Sequence, residues 1–187
     1  MPTESTLSRI RPAKGFLRGR RFLASTILGV AAIPSISSAP VTPAASGAIA
    51  TAARVQEIII ATLGSKITSD AVVRMGDAQF YLPTLSEVQQ LLSASALDRR
   101  TWLAERFDCD DFSYVLKGEF SIHAYDAGDI SYGFSTGIIW GNFSWVDGFH
   151  AVNLVVTNDQ VLRLIEPQSD AIFDADQCRD GVSLIVV

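Results

Sequence analysis

The sequence is poor in the residues that would make its chemistry obvious. Its 187 positions hold two cysteines, Cys109 and Cys178, and two histidines, His123 and His150. Two cysteines close one bridge at most, which excludes a disulfide framework. No apolar run is long enough for a comfortable membrane span: Phe22 to Ile33 is short and is broken by Pro34. There is no internal repeat and no glycine loop of the phosphate-binding kind. Positive charge is scarce beyond the first stretch. Residues 1–21 carry Arg9, Arg11, Lys14, Arg18, Arg20 and Arg21 against Glu4, and removal of residues 1–39 would leave nine basic and nineteen acidic residues, a formal charge of −10. Phosphates would be repelled by such a body, so nucleic acid is excluded as a partner. Cation binding or simple solubility suits it. Apolar residues are not lacking: at 48% they supply one sizeable core and argue against disorder for the bulk of the chain.

The first 39 residues read as a targeting segment. A basic stretch, Arg18-Gly19-Arg20-Arg21, precedes the short apolar run, and Ser37-Ser38-Ala39 then offers small residues of the kind a signal peptidase accepts. Secretion with cleavage is the expectation. A transit peptide and an uncleaved membrane tether are the alternatives. Residues 40–47, rich in Pro, Ala and Ser, read as a linker, and residues 48–187 as one domain.

Within that domain, Ile49 to Leu63 predicts a helix closed by Gly64. Thr84 and Glu87 match a capping box, with Leu85, Val88, Leu91 and Leu92 at helical spacing behind them. A third helix is predicted from Cys109 to about Gly118, with Asp108 as its N-cap and Phe112, Val115 and Leu116 as its buried face. Thereafter glycines punctuate β-prone runs: Ile138 to Trp140, the almost wholly apolar Phe149 to Val156, Val161 to Ile165 after an Asn158-Asp159 turn, and Leu184 to Val187. Helices first and then an antiparallel sheet make the class α+β.

The chemistry gathers at Asp108-Cys109-Asp110-Asp111-Phe112. A thiol among three carboxylates has its pKa pushed up, because the thiolate is disfavoured beside negative charge. A helix N-terminus favours the thiolate by only about 0.3–1 kcal/mol at an exposed end. A general base, or a cation on the carboxylates, is therefore required if Cys109 is to act as a nucleophile. His150 follows the Asp147-Gly148 turn and opens an apolar strand, so the backbone would hold its ring in one place. Glu166 sits near the end of the return strand. Alternation decides whether the two share a face. A two-residue turn would separate them; an odd-length loop or a bulge would bring them together, leaving Glu166 to orient His150 as the third member of a triad. The backbone N–H of Cys109 and the indole N–H of Trp102 are the candidate oxyanion donors.

Asp108-Cys109-Asp110-Asp111-Phe112, Gly148-Phe149-His150-Ala151-Val152-Asn153 and Ile165-Glu166-Pro167-Gln168, with the Thr101-Trp102 pair, resemble the C-terminal domain of mushroom agglutinins of the Marasmius and Polyporus type. The resemblance runs from about Tyr81 to Gln168. It implies a papain-like cysteine protease with Cys109 as nucleophile, His150 as base and Glu166 as orienter, and Trp102 close to the active site. It implies activation by calcium or manganese held by Asp110 and Asp111, and a protein or peptide as substrate; a homodimer stays open. The sugar-binding β-trefoil that precedes this domain in those lectins has no counterpart here, so glycan binding is not implied.

Other readings stay open at this stage. The same triad would serve transamidation or amide hydrolysis. Cys109 as a structural thiol and Asp108 and Asp111 as mere helix caps would leave an inactive calcium-binding module. Trp102, Trp140 and Trp145 could all be core or groove walls. Cys178, in an acidic stretch, reads as a free thiol in a loop.

Overall fold

The computed structural model describes residues 46–187, so the expected targeting segment and most of the linker lie outside the described residues. Strand β1 (Ala48–Thr51) comes first and pairs antiparallel with β3 (Gln79–Leu82). This pairing takes the first residues of the predicted helix, so α1 spans Ala52–Leu63 and is capped by Thr51, whose hydroxyl accepts from the Arg54 amide at 3.3 Å. Gly64 closes it as expected, at φ 51°, where a side chain would be strained. Strand β2 (Ile67–Arg74) follows. The predicted capping box is formed: the Glu87 carboxylate accepts from the Thr84 amide at 2.7 Å, the Thr84 hydroxyl accepts from the Glu87 amide at 3.1 Å, and α2 spans Leu85–Ala94.

Helix α3 spans Cys109–Asp126, two turns past the predicted end. Gly118 does not stop it, because the next core residue, Phe120, continues the i, i+4, i+8 series of Phe112 and Leu116. Val115, expected in that buried face, is instead 39% exposed. The remaining strands are β4 (Thr136–Phe143), β5 (Phe149–Val156), β6 (Leu162–Glu166), β7 (Ala171–Asp174) and β8 (Cys178–Val186).

The large sheet has the order β2-β8-β4-β5-β6-β7. The α+β class holds, but the sheet is mixed: β2 runs parallel to β8, while the other neighbours are antiparallel. Gly137 lets β8 cross close by; a Cβ there would lie 2.3 Å from the Val186 carbonyl. One face of the sheet packs on α1 through Val55, Ile58, Ile59 and Leu63 against Ile139, Val152, Leu154 and Leu164. The other packs on α2 and α3 through Leu92, Phe112, Leu116 and Phe120 against Val155 and Ile165. Cys178 is a buried member of the α1-side core rather than a loop residue, and both cysteines are free. Among the described residues no helix is long and apolar enough to cross a membrane.

Candidate functional site

Cys109 is the first residue of α3, where the backbone N–H groups of the opening turn lack helical partners. The Asp111 carboxylate accepts from the Asp108 amide at 3.2 Å, and the Asp108 carboxylate accepts from the Glu105 amide at 3.3 Å. The Ser113 hydroxyl donates to the Cys109 carbonyl at 2.8 Å, tying the first turn together. Asp108, Cys109 and Asp110 each bring one ligating atom within 4.8 Å of the others. A hydrogen bond shared with Asp110 holds Asp108 below the usual carboxylate range. The same shared bond, with partial burial and the Asp108 charge, pushes Asp110 up. Two carboxylates so crowded compete for one proton, and a cation relieves the same repulsion. The donor set fits a hard divalent ion through its oxygens, with water or carbonyls needed to complete six to eight ligands for calcium. Asp110 belongs to this group, as the sequence suggests. Asp111 is turned to the cap, and Asp108 stands in the cluster beside Asp110.

The second half of the site lies on β5 and β6. Asn153 pairs with Ile165 and Val156 with Leu162, leaving a five-residue loop, 157–161. The odd length keeps His150 and Glu166 on one face, on a diagonal rather than directly opposite. Nε2 of His150 lies 2.8 Å from Oε2 of Glu166. Both residues are buried, at 8% and 7% exposure. The Gln168 amide donates to the other oxygen, Oε1, at 3.3 Å. The indole Nε1 of Trp145 donates to Oε2 at 3.2 Å. Burial would push the Glu166 carboxyl up. The hydrogen bond and charge of His150, with the donors from Trp145 and Gln168, outweigh it and hold Glu166 below the usual glutamate range. With Nε2 committed to Glu166, Nδ1 is the ring nitrogen left to exchange a proton with another group.

The two halves meet where α3 packs on the sheet. Asn153 Nδ2 donates to the Ser113 carbonyl at 2.9 Å and to the Gly137 carbonyl at 3.1 Å. One turn further along α3, Lys117 Nζ reaches Thr136 Oγ1 at 3.4 Å, and Thr136 pairs with Val155. Helix and strand therefore run the same way. One turn back from Ser113, about 6 Å along the helix, is Cys109. The same distance back along β5 is about two residues, to Ala151, next to His150. Alternation gives Ala151, Asn153 and Val155 to the α3 side, and His150 shares its parity with Val152 and Leu154 on the other side. Among the described residues no side-chain hydrogen bond runs between Cys109 and His150. Helix packing thus brings the start of α3, with Cys109, to the start of β5, where the His150–Glu166 pair begins.

Trp102 is 50% exposed in the loop ahead of α3, seven residues before Cys109, and makes no hydrogen bond to either half. A tryptophan hydrogen-bonded within the site is Trp145, which composition and spacing left among the wall residues. Its signal in the sequence was faint: an aromatic two residues beyond a strand end and five before the histidine. Asn153 is the other residue sequence reasoning passed over. It is buried, ties α3 to β4, and leaves its Oδ1 without a protein partner. Asn153→Ala is expected to destabilise the fold by about 1–2 kcal/mol, because two buried hydrogen bonds go while an unpaired oxygen goes with them. Urea unfolding of the variant checks this.

A helix opening on a thiol, packed against a sheet that carries a histidine–glutamate pair on adjacent strands, is the frame of a papain-like domain. Residues 80–172 match the family model described as agglutinin C-terminal, and this segment is an agglutinin C-terminal domain. Among solved structures the chain resembles PSL1a in its complex with E64, at 23% identity and a TM-score of 0.64, covering 74% of this chain and 50% of that one. It is similar also to the Polyporus squamosus lectin bound to the human-type influenza-binding epitope Neu5Aca2-6Galb1-4GlcNAc, at 23% identity and a TM-score of 0.62, covering 74% and 49%. The chain thus spans about half the length of these solved chains. No curated protein matches it.

Proposed function

We propose that the domain is a divalent-cation-dependent cysteine peptidase. The observation that carries the reading is the buried His150 Nε2–Glu166 Oε2 contact of 2.8 Å, on the strand end beside the helix that opens on Cys109. A buried, oriented imidazole with a fixed tautomer is what a cysteine nucleophile requires and what a structural core does not.

In the proposed reaction Cys109 gives its thiol proton to Nδ1 of His150, and the sulfur attacks the carbonyl carbon of a peptide bond. The resulting imidazolium is stabilised by Glu166, which stays ionised. The oxyanion is met by the Cys109 amide at the start of α3. His150 then returns the proton to the departing amine, leaving an acyl-thioester. Water, deprotonated by His150, hydrolyses it and restores the thiol. Nδ1 of His150 would come within hydrogen-bond reach of the thiol in the Michaelis complex; catalytic hydrogen bonds are often long before that complex forms.

Asp108 and Asp110, the crowded pair, would hold calcium or manganese. The ion supplies positive charge that cancels the field opposing the thiolate. Asp111 keeps the helix capped, and Asp110 gives up the shared proton.

E64, the compound named in complex with PSL1a, is a fitting probe to try on this chain. The test of function is cleavage of unfolded casein with added calcium, with added manganese and with a chelator. Cleavage that falls at least tenfold on chelation, a loss of at least about 1.4 kcal/mol, and returns with the ion is expected. Cleavage indifferent to chelation overturns the metal requirement, and no cleavage under any condition overturns the peptidase reading.

A further inference from the structure

We propose that Trp145 is a positioning residue of the site: its indole N–H holds the Glu166 carboxylate in place and, through it, fixes which nitrogen of His150 carries the proton. This extends the peptidase reading, but the positioning itself stands on geometry that does not require catalysis.

Trp145 lies in the loop between β4 and β5, and its Nε1 donates to Glu166 Oε2 at 3.2 Å, the same oxygen that meets His150 Nε2 at 2.8 Å. The indole is clamped between two rings. Phe173 of β7 stacks on it at 4.0 Å with an interplanar angle of 7°. Phe143, at the end of β4, stacks at 4.9 Å and 28°. Phe143 also meets the His150 ring edge-on at 6.4 Å and 79°. Rings from the two strands that flank β5 and β6 therefore set the plane of the indole, and that plane aims its single donor at one carboxylate oxygen. An aromatic that merely filled space would have no reason to place its N–H on the atom that orients the histidine.

The consequence follows from counting donors. Oε1 of Glu166 accepts from the Gln168 amide, and Oε2 accepts from both His150 and Trp145. Three donors on two oxygens hold a buried carboxylate ionised and leave it no freedom to rotate. Without the indole donor, Oε2 is held by the imidazole alone. The carboxylate then takes a proton more readily, and the ring is freer to exchange its tautomers. His150 is the titratable side chain facing Glu166; the partner from the loop after β6 is a backbone amide, and from the β4–β5 loop it is the neutral indole.

The experiment replaces the N–H and keeps the shape. Trp145→Phe retains a ring between Phe143 and Phe173. Site-specific benzothienylalanine at position 145 retains the whole bicycle with sulfur in place of N–H. The imidazole nitrogens of His150 are followed by ¹⁵N NMR from pH 8 downward, with His123→Gln to assign the signals. In the unsubstituted protein the Nε2–H form is expected to dominate the neutral imidazole. In either replacement the tautomers mix, and the midpoint of Glu166 protonation moves to higher pH. Where peptide hydrolysis is present, kcat falls about tenfold with KM unchanged, equivalent to about 1.4 kcal/mol. An unchanged tautomer ratio and an unchanged Glu166 midpoint in the folded benzothienylalanine protein overturn the proposal, whether or not Trp145→Phe folds. A changed tautomer ratio in a protein that cleaves no peptide supports the positioning role and removes the peptidase reading alone.

Discussion

Cys109→Ala is expected to lower peptide hydrolysis by at least about 10³-fold while leaving the fold intact. The two effects separate because of where the residue sits. Cys109 is only partly buried, at the first position of α3, and belongs to neither core. The interactions of that turn run through its backbone carbonyl and through Asp108 and Asp111, all of which alanine preserves. Alanine is also a good helix former. The thermal midpoint should therefore stay within a few degrees of the parent. The parallel substitution Cys178→Ala should do the reverse. That thiol is buried in the α1-side core, where burial raises its pKa and keeps it inert. Its loss should cost stability and no activity. Assays of hydrolysis and melting on both variants check the pair of outcomes.

Glu166→Gln should cost about 10²- to 10⁴-fold in kcat, the range expected when a neutral amide replaces the carboxylate that sets a catalytic tautomer. The amide group can present N–H to Nε2, which drives the proton to Nδ1 and removes the base from the side facing the thiol. Stability should change as well. The folded-state pKa of Glu166 lies below its ordinary value, so its contribution is fully present above the ordinary glutamate range. That contribution is lost as pH falls through the depressed folded-state value. Urea titrations on the acid side of neutrality should show the parent losing stability through this window. The Gln variant should start lower, by about 1–3 kcal/mol for hydrogen bonds to a lost charge, and should lack that part of the slope. Equal slopes in the two proteins would contradict the assignment of Glu166 as an ionised, buried partner.

The parts of the fold written in local chemistry could be read from the chain. Thr84 and Glu87 announced a capping box, Gly64 a helix end, and the almost wholly apolar run from Phe149 a central strand. Asp108 and Asp111 announced the start of α3, and with it the place of Cys109. Even the His150–Glu166 contact was accessible up to one unknown, the parity of the loop between β5 and β6, and that loop proved odd at five residues. Features created by distant chain segments were not accessible. The parallel pairing of β2 with β8 joins stretches over a hundred residues apart, and Ile67 to Arg74 is too polar to announce a strand. The start of α1 was lost to β1 because Gln79 to Leu82 offers an edge that only the folded chain provides. Trp145 enters the site because Phe143 and Phe173 fix its indole, and no spacing along the sequence encodes that clamp. The acid cluster is a middle case. The run of acids was plain, but which two crowd together depends on which one turns back to cap the helix.

The reading rests on His150 acting on the Cys109 sulfur, and the pH dependence of thiol alkylation tests this directly. Iodoacetamide is suited to it, because Cys178 is buried and Cys109 is the accessible thiol of the two. With calcium present, the parent protein should be alkylated at Cys109 at a rate that levels off well below the pH at which an ordinary thiol ionises, about 8.5. His150→Ala should lose that plateau and slow by about tenfold or more near neutrality, following the thiolate fraction it loses. A parent profile that rises through the ordinary thiol range, and that His150→Ala leaves unchanged, would contradict the account.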